Sequence, residues 1–166
     1  RRAGTLQTWR GLFSLPGIPL IYNGQEIGVW TFPYDAFMIF RPGATIEAQD
    51  RNGLYPFYRH LIYLRNTFPA LSSDAFAEVP VQPDDVSGYV YAYRRWEGDQ
   101  HLLGVINMAD DSASVTLDIP VDELELDDAK TYYLNDLIAG EAITATGAEM
   151  ADVSVTLPPY TTRLFA

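Results

Sequence analysis

Hydrophobic spacing divides the chain into two parts that follow different periods. In the first part Leu6, Trp9, Leu12 and Phe13 recur at helical spacing over residues 3–14, and Leu15, Pro16 and Gly17 stop the helix. A short apolar run over residues 18–22, broken only by Pro19, ends in Asn23 and Gly24 and predicts a strand that stops at a turn. Residues 29–54 mix aromatics, prolines and glycines without a period, which predicts a long irregular connection. Pro56 then opens a second helix with Phe57, Leu61 and Leu64 on one face, ending at Phe68 and Pro69. A helix, a buried strand, a loop and a helix are pieces of an α/β layer structure; one strand cannot close a sheet alone.

Beyond residue 70 the period becomes two. Residues 88–96 set Tyr89, Tyr91 and Tyr93 against Val90 and Ala92, and residues 101–108 return the chain. After a second turn, Val115, Leu117 and Ile119 share one face. This is an antiparallel meander. Further strand signals lie at residues 130–136, 153–158 and 161–166, with Gly140, Pro158 and Pro159 as punctuation. The expected assembly is a β-sandwich of about seven or eight short strands. The tyrosine stripe reads as a sandwich core or a cross-strand ladder, which needs no ligand.

Composition sharpens the division. The 166 residues are 48% hydrophobic and 13% aromatic, enough for one large or two small cores. The net charge of −11 is unevenly spread: residues 1–70 sum to +3 and residues 71–166 to −14. The boundary therefore falls near residue 71, giving units at 1–71 and 72–166. Such acidity argues against nucleic-acid or anionic-membrane partners, and no apolar run reaches the length of a membrane span. Trp9, Arg10 and Gly11 interrupt what would be a signal peptide's apolar segment, so no targeting signal is expected. With no cysteine there is no disulfide, thiolate zinc site or cysteine nucleophile.

Candidate chemistry is sparse. His60 and His101 lie in different halves and read as exposed or locally bonded rather than as a zinc or catalytic pair. Ser14, Ser72 and Ser73 lack a nucleophile-elbow context. No Gly-rich phosphate loop follows a strand, and the acidic pairs lack calcium-loop spacing, so no cofactor or metal is expected. Glu26 is the acid best placed at the turn; the competing reading has it bonded to backbone or to Arg10. Trp30, Phe32 and Tyr34 could stack on sugar rings or lie buried beneath the loop.

Residues 15–28, Leu-Pro-Gly-Ile-Pro-Leu-Ile-Tyr-Asn-Gly-Gln-Glu-Ile-Gly, resemble the eighth strand and following turn of the catalytic barrel in the α-amylase family of glycoside hydrolases. Residues 57–71 are similar to that family's last barrel helix and its exit. Residues 90–95 and 102–108 resemble the opening strands of its C-terminal sandwich, and residues 155–166 its closing hairpin. The resemblance implies an α+β fragment: a terminal helix-strand-helix piece of a (β/α) barrel, followed by an all-β antiparallel sandwich domain. It also implies that the strand delivers residues 23–26 to the active-site rim, with Gln25, Glu26 and Trp30 on the substrate side.

The same resemblance implies an Asp nucleophile, a Glu general acid and a second Asp after the fourth, fifth and seventh strands, upstream of residue 3. None is assigned here. Retention needs two carboxylates about 5 Å apart across one bond, and Glu26 alone does not supply the pair. The implied partner of the parent enzyme is an α-glucan or oligosaccharide. The segment between the turn and the second helix lacks a tryptophan-containing motif that many members carry, which leaves the choice among starch, maltodextrin and cyclodextrin open. A non-catalytic carbohydrate-binding or interaction module is the alternative. An unpaired apolar strand further predicts self-association through residues 1–71.

Overall fold

A computed structural model describes residues 9–22, 24–28, 45–50, 52–83 and 88–166. The first unit is helical. Helix α1 (residues 9–14) leads through irregular residues 18–22 to a 3₁₀ turn, Gln25–Ile27. A one-turn helix α2 (Ile46–Gln49), helix α3 (Tyr55–Thr67) and a 3₁₀ turn (Pro69–Leu71) complete it. Pro56 sits in the first turn of α3, where its missing N–H costs nothing. The donors exposed at that end go to Asp50, whose carboxylate accepts from the backbone N–H groups of Asn52, Leu54 and Tyr55 at 3.1, 3.1 and 2.9 Å.

The buried face of α3 is Tyr58, Leu61 and Leu64, so Tyr58 takes the place expected of the half-buried Phe57. Tyr58 packs at a steep angle against Phe13 and Trp9 of α1, with ring centroids 6.5 and 5.8 Å away.

The buried strand expected at residues 18–22 is not observed. The segment has no regular structure and pairs with no strand among the described residues, and Ile18 and Leu20 are 97% and 79% exposed. The physical reason is the one anticipated for a lone strand: burial in a parallel sheet requires neighbours on both edges, and the described residues hold none.

The second unit contains nine strands among the described residues: β1 (Phe76–Val79), β2 (Val81–Gln82), β3 (Val90–Glu97), β4 (Gln100–Asn107), β5 (Ala113–Asp118), β6 (Thr131–Asn135), β7 (Ala142–Thr146), β8 (Asp152–Leu157) and β9 (Thr161–Phe165). One sheet has the order β1-β3-β4-β9, a second β2-β5-β8, and β6 and β7 form a hairpin. All pairs are antiparallel. The hairpin joins the first sheet through backbone bonds between Asn135 and Ala166 at 2.9 and 3.0 Å. A short helix α4 (Gly147–Met150) carries a capping box between Thr146 and Glu149.

Between the two main sheets lies the sandwich core, including Val79, Val90, Ala92, Leu103, Val105, Val115, Leu117, Val153, Val155 and Leu157. Tyr89 packs against it, whereas Tyr91 and Tyr93 do not belong to it. Val90 and Ala92 take the core side of β3, while Tyr93 and Arg95 are buried on the opposite side. There Tyr93 stacks on Phe76 and Tyr91 at centroid distances of 5.5 and 5.9 Å, so a ring ladder does form. The four-stranded sheet is thus covered on both faces. Leu102 and Leu164 turn away from the core to meet Leu64, Ala70 and Leu71 of the helical unit.

Gly104 lies directly beneath the Tyr93 ring, which a Cβ would overlap. Gly104→Ala is therefore expected to destabilise the protein by about 1–3 kcal/mol in urea unfolding, since buried Tyr93 has no room to yield. Ser114→Ala, on the exposed hydroxyl pair with Thr156, should change stability by less than about 0.5 kcal/mol.

The Asp50 cap generates a pH dependence. Burial alone would raise this carboxyl, but the backbone donors of Tyr55, Leu54, Asn52 and Gly53 outweigh it and hold its pKa below the usual value. Its stabilising contribution is then complete above the unfolded-state pKa and lost as pH falls through the lowered folded value. Asp50→Asn should remove that part of the acid dependence in urea titrations, narrowing the difference from wild type as pH falls.

Candidate functional site

The turn that follows residues 18–22 is built almost entirely from its own backbone and one amide side chain. Gly24 and Gly28 flank the 3₁₀ turn at φ 88° and 70°, conformations that suit glycine. The Gln25 N–H donates to Tyr22 O at 2.9 Å, and the Tyr22 N–H returns a bond to Gln25 Oε1 at 3.0 Å. Gln25 Nε2 donates to the Tyr58 hydroxyl at 3.2 Å, and Asn52 Nδ2 to Ile27 O at 3.0 Å. Two side chains from the α3 region thus fix the turn. Burial raises the Tyr58 pKa, the Gln25 bond partly offsets this, and the Glu26 charge adds to the rise.

Of the site residues expected from sequence, Gln25 and Glu26 share this turn, and Trp30 lies outside the described residues, as do Asn23, Phe32 and Tyr34. Glu26 does not pair with Arg10. Its Oε2 is buried with no hydrogen-bond partner among the described residues. Arg10 instead lies 5.5 Å over the Phe57 ring and lines a small cavity with Phe13, Leu61, Ile138 and Leu164. Its pKa is lowered by burial and partly restored by Asp136 of the β6–β7 hairpin. The guanidinium therefore faces the sandwich, which is why it is not spent on the turn.

The histidines stay apart. His60 on α3 is exposed, with Nε2 2.9 Å from Leu137 O, and stacks on Tyr63. His101 on β4 is exposed; partial desolvation and the Arg94 charge lower its pKa, against an opposing effect of Asp99. No group of three acidic or histidine side chains among the described residues is arranged to hold a metal ion. Ser14 is buried, its hydroxyl bonded to Arg10 O at 2.8 Å or Gly11 O at 2.9 Å and to the Tyr93 hydroxyl, so it is a structural group.

Sequence reading did not single out Tyr58 or Asn52 at this turn. Their only local signal is placement on or just before α3. Chemically the arrangement offers one carboxylate, with an oxygen that is buried and unbonded among the described residues, and an amide held by Tyr22 and Tyr58. That set supplies no second carboxylate.

No family model matches the chain. Over 146 residues it is 31% identical to neopullulanase 2 of Thermoactinomyces vulgaris, covering 87% of this chain and 22% of that protein. The debranching enzyme of Nostoc punctiforme superposes with a TM-score of 0.67 at 25% identity, over 100% of this chain and 31% of its own. An AmyP variant solved with maltotriose shares the fold at a TM-score of 0.67 and 18% identity, over 99% of this chain and 34% of its own. The chain spans roughly a fifth to a third of the length of these relatives. On this identity and these superpositions, the chain is the counterpart of the C-terminal portion of α-amylase-family glycosidases.

Proposed function

We propose that this chain is the C-terminal part of a retaining, α-amylase-type glycosidase acting on starch or maltodextrin. It lacks the catalytic carboxylates and contributes one rim strand and a stabilising sandwich, with units at residues 1–71 and 72–166. The observation that carries the reading is the turn at residues 24–28. It places Gln25 and Glu26 in a glycine-flanked turn at the end of an apolar segment, as at the C-terminal end of a barrel strand. Gln25, Glu26 and Trp30 are assigned to the substrate side, where an amide, a carboxylate and an indole match the hydroxyls and flat faces of an oligosaccharide. The exposed side chains of Ile18 and Leu20 fit burial beneath neighbouring strands and helices of a complete barrel.

The test uses two proteins. The complete open reading frame that carries this sequence, incubated with maltoheptaose, should release products first as the α-anomer in proton NMR; no turnover of any α-1,4-glucan overturns the proposal. The 166-residue chain alone should release nothing from a chromogenic maltoside, and turnover lost in Glu26→Gln would equally overturn it.

Isolated, the chain should also self-associate through residues 1–71, because Ile18, Leu20 and Tyr22 are exposed beside unpaired backbone. Sedimentation at several concentrations should show the average mass rising for the full chain and constant for residues 72–166. A full chain that stays monomeric throughout contradicts this.

A further inference from the structure

The segment that carries the rim turn leaves α1 through residues 13–17, four of whose carbonyls are held by two arginines from different layers. Arg65 of α3 donates through Nη1 to Phe13 O at 2.8 Å and Leu15 O at 3.4 Å, and through Nη2 to Gly17 O. Arg95 of β3, wholly buried, donates through Nη1 to Ser14 O at 3.1 Å and Leu71 O at 2.9 Å, and through Nη2 to Ser73 O. Tyr93, two residues earlier on the same strand, places its hydroxyl against Ser14 Oγ. A strand of the sandwich therefore grips the end of α1 by both a main-chain and a side-chain oxygen.

This arrangement works against charge repulsion. Burial lowers the pKa of Arg95, and the neighbouring Arg65 charge lowers it further, with Tyr93 and Asp74 opposing. Two like charges remain side by side because each satisfies carbonyls that have no other donor in reach of a regular helix. At its far end the segment is tied to α3 again, through Gln25 and Tyr58. The turn at residues 24–28 is held directly by Tyr58 and Asn52, and the segment that leads to it by Arg65 on α3 and Arg95 on the sandwich.

We infer that Arg95 is a positioning residue: through the carbonyl of Ser14 and the turn at residues 13–17, strand β3 of the sandwich sets where Gln25 and Glu26 stand. The bearing of this placement on a substrate rests on the function proposed above, whereas the placement itself is a property of the 166-residue chain. The sandwich then has a part in the geometry of the rim beyond stabilising a neighbour.

The experiment is amide exchange by NMR on the 166-residue chain, with tyrosine labelled at Cζ to follow the Tyr58 phenol. In Arg95→Met the amides of Gln25, Ile27 and Gly28 should exchange about tenfold faster relative to those of Val115 and Val155, and the Tyr58 Cζ resonance should move. Arg95→Lys, which keeps the charge and one donor direction, should restore part of both effects. Leu117→Ala, which weakens the sandwich core without touching the grip, should speed exchange throughout and leave Tyr58 unmoved. If Arg95→Met does not fold, Tyr93→Phe removes only the bond to Ser14 and should give the same pattern at about threefold. Exchange in the turn that rises only in step with Val115 and Val155, or a Tyr58 resonance that stays in place, overturns the inference. No substrate enters the measurement, so its failure leaves the proposed function standing.

Discussion

Carbonyl oxygens at the end of a helix need donors, and between residues 13 and 17 those donors are guanidinium groups rather than water or backbone. Much of the structure depends on that substitution. Arg65 ties α1 to α3, and Arg95 ties α1, the 3₁₀ turn at Pro69–Leu71 and the following Ser73 to the sheet. Only arginine suits the second task, since its planar fork reaches three carbonyls in two separate segments at once, whereas an ammonium group on a flexible stem aims at one point. The apolar contact of Leu64 and Leu71 with Leu102 and Leu164 is non-directional. Orientation between the helical layer and the sandwich therefore comes from the hydrogen bonds.

Both periods and the α3 helix were legible because they are local: the apolar residues that define them lie within a few positions of each other. What required a partner far along the chain was not. The run at residues 18–22 reads as buried because Ile18, Leu20 and Ile21 favour exclusion from water, but a pattern states a preference and not where the covering surface lies. The tyrosines of β3 read as a sandwich core or a cross-strand ladder, and of these two alternatives Tyr91 and Tyr93 form the ladder. Two packed sheets stand about 10 Å apart, so small Val90 and Ala92 fit between them, while Tyr93 needs the deeper space on the helical side, made by Gly104. A sign of that second buried face was present in β4, where Leu102 and Leu103 are adjacent, as are Val105 and Ile106, and alternation fails. Strands β1, β2 and β7 were missed because the first two are four and two residues long and the third is built of alanine and threonine around a single isoleucine. At the turn, Gln25 and Glu26 were visible from their position after the apolar run. Tyr58 and Asn52 act across 33 and 25 residues of sequence, beyond any local pattern.

The acidic half uses its few cations inward. Arg94 pairs with Glu123 and lies over Trp96, Arg95 holds the helical layer, and Arg163 bridges buried Asp136 and exposed Glu141. Lys130 lies over the Tyr132 ring. With these four committed, the described sandwich presents no cluster of unpaired cations.

Tyr58 and Arg65 stand seven residues apart on α3, close to two full helical turns, so both project from the same side. Because one holds Gln25 and the other holds Gly17, the helix acts as a gauge block for the length of chain between them. Adding or deleting one residue of α3 between the two would swing one support about 100° around the axis relative to the other, so no single small change could be absorbed there. The distance from the α1 exit to the turn is therefore a fixed dimension of this scaffold, set by the helix and not by the chain it measures.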